Sequence, residues 1–203
     1  MLTIVDKIVI GALAVVIVLN VAFQVYIRLP EDDDEGNAVL TVFYGGEKWG
    51  YTLPGLRDID AFSGVGSMMT KIGVKGPYNF TGVRLDLLLE DLDISGDSVW
   101  AQVIALDGYT VTFSGDEIQG NVEVFDESGN ITDNVVTLLV VYSQDGIPLD
   151  SGDGPLRLAY VGQENCVTQS SYWVKQVTEI VFSRNLVISS DFLVEIISVG
   201  GGI

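Results

Sequence analysis

Few residues in this chain of 203 residues can do covalent or metal chemistry. It contains no histidine and one cysteine, Cys166. A single cysteine cannot form an intrachain disulfide or supply the paired thiolates of a structural zinc site. Without histidine, the chain lacks the commonest general base and the commonest ligand for transition metals. Catalysis would therefore need a bound cofactor, and we predict that Cys166 is inert rather than reactive.

Three aspartates offer oxygen ligands in the segment SQDGIPLDSGDG: Asp145, Asp150 and Asp153. Oxygen atoms of this kind bind calcium, but the spacing is not that of an EF-hand loop. The sequence predicts a surface turn here, with a calcium site as the alternative.

The net charge is -18, from 28 acidic and 10 basic residues. Such a protein repels a phosphate backbone, so nucleic acid is excluded as a partner. We interpret the acidity as a solvated surface that keeps an exposed domain soluble. The alternative is a surface that binds cations.

An apolar segment near the N-terminus has the length of a membrane span. Residues 8–27 read IVIGALAVVIVLNVAFQVYI, which is about 30 Å of helix and matches the bilayer core. A cleaved signal peptide is the alternative, but no small-x-small cleavage site follows. We predict a transmembrane anchor over residues 1–30 and an acidic linker over residues 31–37.

The orientation of the anchor rests on weak charge signals. Lys7 and Arg28 flank the span, so the positive-inside rule decides little. The short N-terminus and two N-glycosylation sequons, at Asn79 and Asn130, favour a cytoplasmic N-terminus and an extracytoplasmic domain at the cell membrane. We predict Asn130 to be the better acceptor because it follows a Ser-Gly turn, whereas Asn79 is predicted to lie against a packed helix.

Two amides share one face of the predicted anchor, Asn20 and Gln24. Residues four apart are neighbours on a helix, and amides in lipid seek hydrogen bonds on another helix. The pair predicts a partner helix in the membrane. The alternative is that both lie at the outer interface and are hydrated.

The remaining sequence predicts an α+β domain over residues 38–182 in which strands dominate. A hairpin turn at Gly45-Gly46 joins the first two strands, a helical turn covers residues 54–61, and residues 62–78 read as a glycine-punctuated loop. The best helix is at residues 83–92. The predicted strands are residues 39–44, 48–53, 99–105, 109–113, 135–142, 156–160 and 175–182.

Four segments in this order resemble the oxidoreductase molybdopterin-binding domain, the fold of the sulfite oxidase family. They are GPYNFTGVRLDLLLEDL, VIALDGYTVTF, DGPLRLAYVG and YWVKQVTEIVF, beginning at Gly76, Val103, Asp153 and Tyr172. The likeness covers about 110 residues and is greatest to short secreted or anchored members. It implies a mixed-sheet domain of that type.

The same resemblance implies a metal-binding cysteine before the predicted helix, yet residues 65–76 contain none. Cys166 is predicted to lie in a different loop, from which its thiolate would point wrongly. The family's histidine and several of its basic pterin-binding residues are also missing, and an acidic domain repels an anionic cofactor. We therefore predict no cofactor, with molybdopterin as the alternative.

Two residues, Arg157 and Lys175, match basic positions of the family's motifs, and three others lie nearby in the matched segments, so that together they are candidates for a residual pocket. They are Asp107, Tyr109, Arg157, Trp173 and Lys175. Each has a structural alternative: the two cations can pair with carboxylates, the aspartate is a plausible turn residue, and the aromatics can be core residues with a satisfied polar edge.

Residues 183–203 form an apolar extension beyond the resembling domain. Their hydrophobic residues would not remain exposed in water. The sequence predicts a strand that binds a partner, or an added strand within the same chain.

Together these features predict a membrane-anchored binding or accessory subunit with a cofactor-free molybdopterin-binding-like fold. Its partners would be the membrane and other membrane or envelope proteins. Self-association into an oligomer is a further alternative. The alternatives are a molybdopterin-dependent oxidoreductase subunit and a small-anion binding protein that uses Arg157 and Lys175.

Overall fold

A computed structural model of the chain describes residues 38–94 and 99–184. Within them the chain is a β-rich, mixed-sheet domain with a few short helices, as the sequence predicts. The strands are β1 Leu40–Tyr44, β2 Glu47–Tyr51, β3 Ala61–Thr70, β4 Gly73–Arg84, β5 Trp100–Ala105, β6 Thr110–Phe113, β7 Val124–Phe125, β8 Ile131–Thr132, β9 Thr137–Gln144, β10 Ile147–Pro148, β11 Arg157–Val161, β12 Cys166–Gln169 and β13 Val177–Ser183. The helices are α1 Leu53–Asp58, α2 Leu85–Asp91 and α3 Gly115–Ile118, with a 3-10 turn at Ser170–Tyr172.

The predicted anchor, its amides Asn20 and Gln24 and the acidic linker lie outside the described residues. In the described part, no helix has the length and apolar character needed to cross a bilayer. The C-terminal extension also lies outside, except at its start. Ser183, predicted to begin the extension, is instead the last residue of β13.

The first sheet has the strand order β2-β1-β13-β5-β6. The pairing of β1 with β13 is parallel, and the other pairings are antiparallel. The predicted hairpin at Gly45-Gly46 is confirmed, since it joins β1 to β2. One face of this sheet is buried at its centre, where Val42, Val103 and Ile180 are 0% exposed.

The second sheet has the order β10-β9-β4-β3-β12-β7-β8, and β11 pairs with β9. Strand β11 also returns to β3, where Val65 and Gly162 exchange backbone hydrogen bonds of 2.9 and 3.0 Å. Strands β3, β4, β9 and β11 therefore close on themselves like a small barrel.

The prediction of a loop over residues 62–78 is wrong. These residues form most of the β3–β4 hairpin. Two glycines of the predicted loop, Gly64 and Gly66, are strand residues at close backbone approaches: a Cβ on Gly64 would overlap the carbonyl oxygen of Gly162, and one on Gly66 would overlap that of Tyr160. Gly82, later in β4, makes a similar approach to the carbonyl oxygen of Val140. Glycine inside a strand marks such an approach, which a search for periodicity misses.

The predicted helix is confirmed as α2, but it starts at Leu85 because Val83 still belongs to β4. The helical turn is α1, which the Thr52 side chain caps by accepting from the Gly55 amide at 3.1 Å. Strands β7, β8, β10 and β12 were not predicted. They have two to four residues each, too few for a period-two pattern to emerge.

Two hydrophobic cores result from this arrangement. The larger lies between the two sheets and contains Cys166 together with the apolar face of the first sheet. The smaller is built by Phe80, Leu139, Val141, Ala159, Val161 and Trp173, with Phe62, Met68 and Tyr78 packed against it. Alternation along β9 and β11 divides their side chains between the two cores.

Candidate binding site

The only buried charged side chain among the described residues, Arg157, lies at the start of β11 beside the smaller core. Its side chain is 5% exposed. The guanidinium carbon lies 5.4 Å from the ring centres of both Phe80 and Trp173. Cation–π attraction of this kind strengthens when water is excluded, so the two rings stabilise the charge at this position.

Asp153 binds both basic residues that the sequence selects. Arg157 donates from one terminal nitrogen to Asp153 Oδ2 at 2.5 Å, and Lys175 Nζ donates to Asp153 Oδ1. The structure therefore contains the pairing with a carboxylate that the sequence offers as the alternative to a binding pocket for these two cations. Burial lowers the pKa of Arg157, and the Asp153 charge opposes that shift.

One donor of this ion cluster has no partner. The Nε atom of Arg157 is buried and makes no hydrogen bond within the described residues. Two cations also share a single carboxylate, so the cluster of Asp153, Arg157 and Lys175 carries a net positive charge in an acidic protein.

A tight turn holds Asp153 in position. Asp150 Oδ1 accepts from the amides of Gly152 at 2.8 Å and Asp153 at 3.0 Å. The carbonyl of Asp153 accepts from the amide of Gln176 at 3.1 Å, which joins the turn to the segment before β13. The acidic segment forms this turn rather than a ring of free ligands.

The third aspartate of the calcium alternative lies elsewhere. Asp145 is in the β9–β10 turn, where its Oδ1 accepts from the amide of Asn79 at 3.0 Å. In the described parts of the chain, no group of three or more acidic or cysteine side chains is placed to hold a metal ion.

Trp173 is a core aromatic with its polar edge satisfied. It is 6% exposed, packs edge-on against Phe80 at 5.5 Å, and donates from Nε1 to Thr168 Oγ1 at 2.8 Å. Its ring forms one wall around the Arg157 guanidinium. The second ring against the guanidinium, Phe80, was not predicted from the sequence. Its position near the start of a matched segment was the one feature that could have pointed to it.

Asp107 and Tyr109 belong to the β5–β6 turn and not to the ion cluster. Asp107 Oδ1 accepts from the amide of Tyr109 at 2.9 Å, and the Tyr109 side chain is 53% exposed. The turn is linked to the segment after Lys175 only through the backbone, where Leu106 donates to the carbonyl of Gln176 at 2.9 Å. The structure thus brings together three of the five predicted pocket residues.

The prediction that Cys166 lies in a loop is wrong. Cys166 begins β12, which runs parallel to β3 with Cys166 beside Gly66. Its thiol is fully buried in the larger core and donates to the carbonyl of Val65 at 3.4 Å. Burial raises its pKa from 9.0 to about 11.

These residues do not fit the metal of a molybdopterin cofactor. The segment expected to supply the thiolate is a β-hairpin without cysteine. The only thiol of the sequence, that of Cys166, is protonated and enclosed by apolar side chains, and the two cations of the candidate pocket are engaged by Asp153. We derive no reaction through such a group.

Both predicted sequons are exposed, and Asn130 follows the Ser128-Gly129 turn as predicted, but the predicted placement of Asn79 is wrong. Asn79 lies within β4 rather than against the start of α2. The side-chain amide of Asn130 donates to Asp126 Oδ2 at 2.9 Å, which ties it into its own turn. Asn79 is joined to the β9–β10 turn through its backbone, where its carbonyl accepts from Asp145 at 2.7 Å.

A cleft of about 470 Å³ lies at a different place, and none of the predicted pocket residues lines it. Its walls are Phe62, Asn134, Val135, Thr137, Gly162, Gln163 and Glu164.

We expect Cys166 to react with iodoacetamide at pH 8 about 100-fold more slowly in native protein than in urea, because the reactive thiolate is disfavoured and shielded. Mass spectrometry of timed samples measures the rate. A surface thiol made by Ser128→Cys in a Cys166→Ala background is the control, and a native Cys166 that reacts as fast as this control would contradict the assignment.

Alkaline pH is expected to destabilise the domain. Cys166, Tyr51 and Tyr160 all have pKa values raised by burial, so the native state keeps protons that the unfolded state releases. The free energy of unfolding must then fall as pH rises above about 9. For Cys166 alone, a rise from 9.0 to about 11 corresponds to about 3 kcal/mol lost by pH 12. Urea unfolding from pH 8 to 11 measures this, and Cys166→Ala should show a shallower decline.

A scan against protein-family models finds no match to this chain, and a search of curated proteins finds none either.

Proposed function

We propose that the chain is a membrane-anchored, extracytoplasmic binding or accessory subunit whose molybdopterin-binding-like domain works without a resident cofactor. The fold assignment is part of the proposal. It is supported by the matched segments, which fall on regular elements: β4 with α2, the β5–β6 hairpin, β11, and β13.

The observation that carries the proposal is the burial of Cys166. It is the only sulfur donor of thiolate type in a chain without histidine, and its raised pKa and 0% exposure remove it from contact with a ligand. A domain of this kind acts through binding surfaces. The apolar residues Ile72, Ile131 and Val135, which are 67% to 88% exposed, are available to such surfaces.

Membrane and envelope proteins are the proposed partners, because the predicted anchor places the domain among them. Affinity purification of the full-length chain from native membranes tests this. We expect a partner at a fixed stoichiometry, and we expect Asn20→Leu with Gln24→Leu to lower its recovery if the contact includes the anchor. Recovery of the chain alone at all detergent concentrations would contradict the proposal.

The proposed topology has its own test. Protease added to intact cells should digest the domain while an N-terminal tag remains protected. Digestion of the tag with protection of the domain would reverse the orientation.

A small-anion binding protein is the second candidate, and the unpartnered Nε of Arg157 favours it. An anion would compete with Asp153 for Arg157 and Lys175. Titration with phosphate or sulfate, followed by tryptophan fluorescence, tests this because Trp173 borders the guanidinium. A saturable change that Arg157→Met abolishes would support it, and a signal that does not saturate would reject it.

A further inference from the structure

The outer face of the first sheet, which points away from the larger core, carries apolar side chains on its three central strands. Strand register defines this face, because directly paired residues point to the same side. One row across the sheet is Thr112, Gln102, Val181, Phe43 and Lys48, and the next is Thr110, Ile104, Glu179, Thr41 and Gly50. Trp100 and Ser183 are paired beyond the first row.

An antiparallel sheet with one free face normally carries polar residues there. Here Phe43, Trp100, Ile104 and Val181 form an apolar patch. None of them belongs to either core cluster of the described residues. Yet Val181 is only 6% exposed and its neighbour Gln102 only 5%. The residues around Val181, which are Phe43, Trp100 and Ile104, are only partly buried, so the patch still has apolar surface for an occupant to cover.

The chain itself leads from this face into an apolar segment. Strand β13, at the centre of the sheet, ends at Ser183, and Arg184 Nε then donates to Tyr44 Oη of β1 at 3.2 Å. The sequence continues for 19 residues, which are Asn185 followed by LVISSDFLVEIISVGGGI. It contains no basic residue and ten large aliphatic or aromatic side chains.

We propose that residues 185–203 dock on the outer face of the first sheet, with Phe43, Trp100, Ile104 and Val181 as the contact surface. The reach is sufficient in any conformation: the segment spans about 60 Å when extended and about 28 Å as a helix. Five strands measure only about 19 Å across. A tether at the central strand also gives an effective concentration in the millimolar range, which favours this segment over a free partner. The inference does not depend on the proposed function.

Thiol labelling of the full-length protein tests the contact. An Ile104→Cys variant, in a Cys166→Ala background, is compared with the same variant ending at Arg184. We expect the truncation to raise the alkylation rate of residue 104 at least tenfold. A matched Ile131→Cys probe, on the second sheet, should keep its rate. Equal rates for residue 104 in both chains would overturn the proposal.

Two further measurements identify the occupant and guard against unfolding. Chains with native Cys166 report folding, since slow alkylation of that thiol in the truncated chain shows that the core is intact. If the truncated chain unfolds, the full-length Phe192→Asp variant replaces it, with the same expected increase at residue 104. Protection that fades on dilution would assign the face to a second copy, and protection found only in native membranes would assign it to another protein. Either result would overturn docking of the chain's own segment.

Discussion

Replacing Asp153 with alanine is expected to lower the free energy of unfolding by about 3 kcal/mol. Among the described residues, Asp153 supplies the only carboxylate paired with the buried Arg157 guanidinium, and a buried charge without its partner is strongly destabilising. Urea unfolding of the full-length protein in detergent, followed by tryptophan fluorescence, measures the change.

Two matched variants separate this effect from the loss of a surface ion pair. Lys175→Met removes the other cation of the cluster, whose side chain is 53% exposed, and should cost less than about 1 kcal/mol. Asp153→Ala combined with Arg157→Met should recover much of the loss, because the buried charge is then absent as well. If the double variant is less stable than Asp153→Ala, the Asp153 effect does not arise from an uncompensated charge.

Gly66→Ala is expected to destabilise the domain by about 3 kcal/mol or to prevent its folding. The added Cβ would overlap the carbonyl oxygen of Tyr160 and approach the Trp173 ring to 3.4 Å, and a backbone atom in the closed strands cannot move aside without shifting β11. Overpacking of this kind costs about 1–3 kcal/mol when only side chains must move. Thermal unfolding and soluble yield measure the effect.

Gly50→Ala is the control for this prediction. Gly50 lies in the edge strand β2, where an added Cβ would meet only the Ala38 Cβ at 3.3 Å. Its stability should change by less than about 1 kcal/mol. Equal losses for the two variants would mean that the close approach of β3 to β11 does not constrain the fold.

Much of the domain can be predicted from local patterns. The first hairpin, α2 and the long strands each carry a signal within their own residues, through turn glycines, apolar periodicity or runs of β-branched residues. The β3–β4 hairpin carries no such local signal. Its glycines are required by close contacts with Tyr160 and Val140, which are distant in sequence. Close packing between strands therefore determines where glycine is needed, and a single sequence does not show which strands will be in contact.

The candidate site divides in the same way. Arg157, Trp173 and Lys175 come from matched segments and lie together in the structure, whereas their shared partner Asp153 reads from the sequence as a surface-turn residue, with a calcium ligand as the alternative. Its role depends on the turn held by Asp150 and on the burial of Arg157. Cys166 shows the same limit, because the strand that places it beside Gly66 has only four residues.

The most direct test of the proposal that the domain works without a resident cofactor is the metal and pterin content of the full-length protein purified from native membranes. Elemental analysis for molybdenum and tungsten, with fluorescence of released pterin, should find both far below one equivalent per chain. The content should be the same in a Cys166→Ala variant. About one metal atom and one pterin per chain would contradict the account, and their loss on substitution of Cys166 would show that its thiol leaves the core to bind the metal.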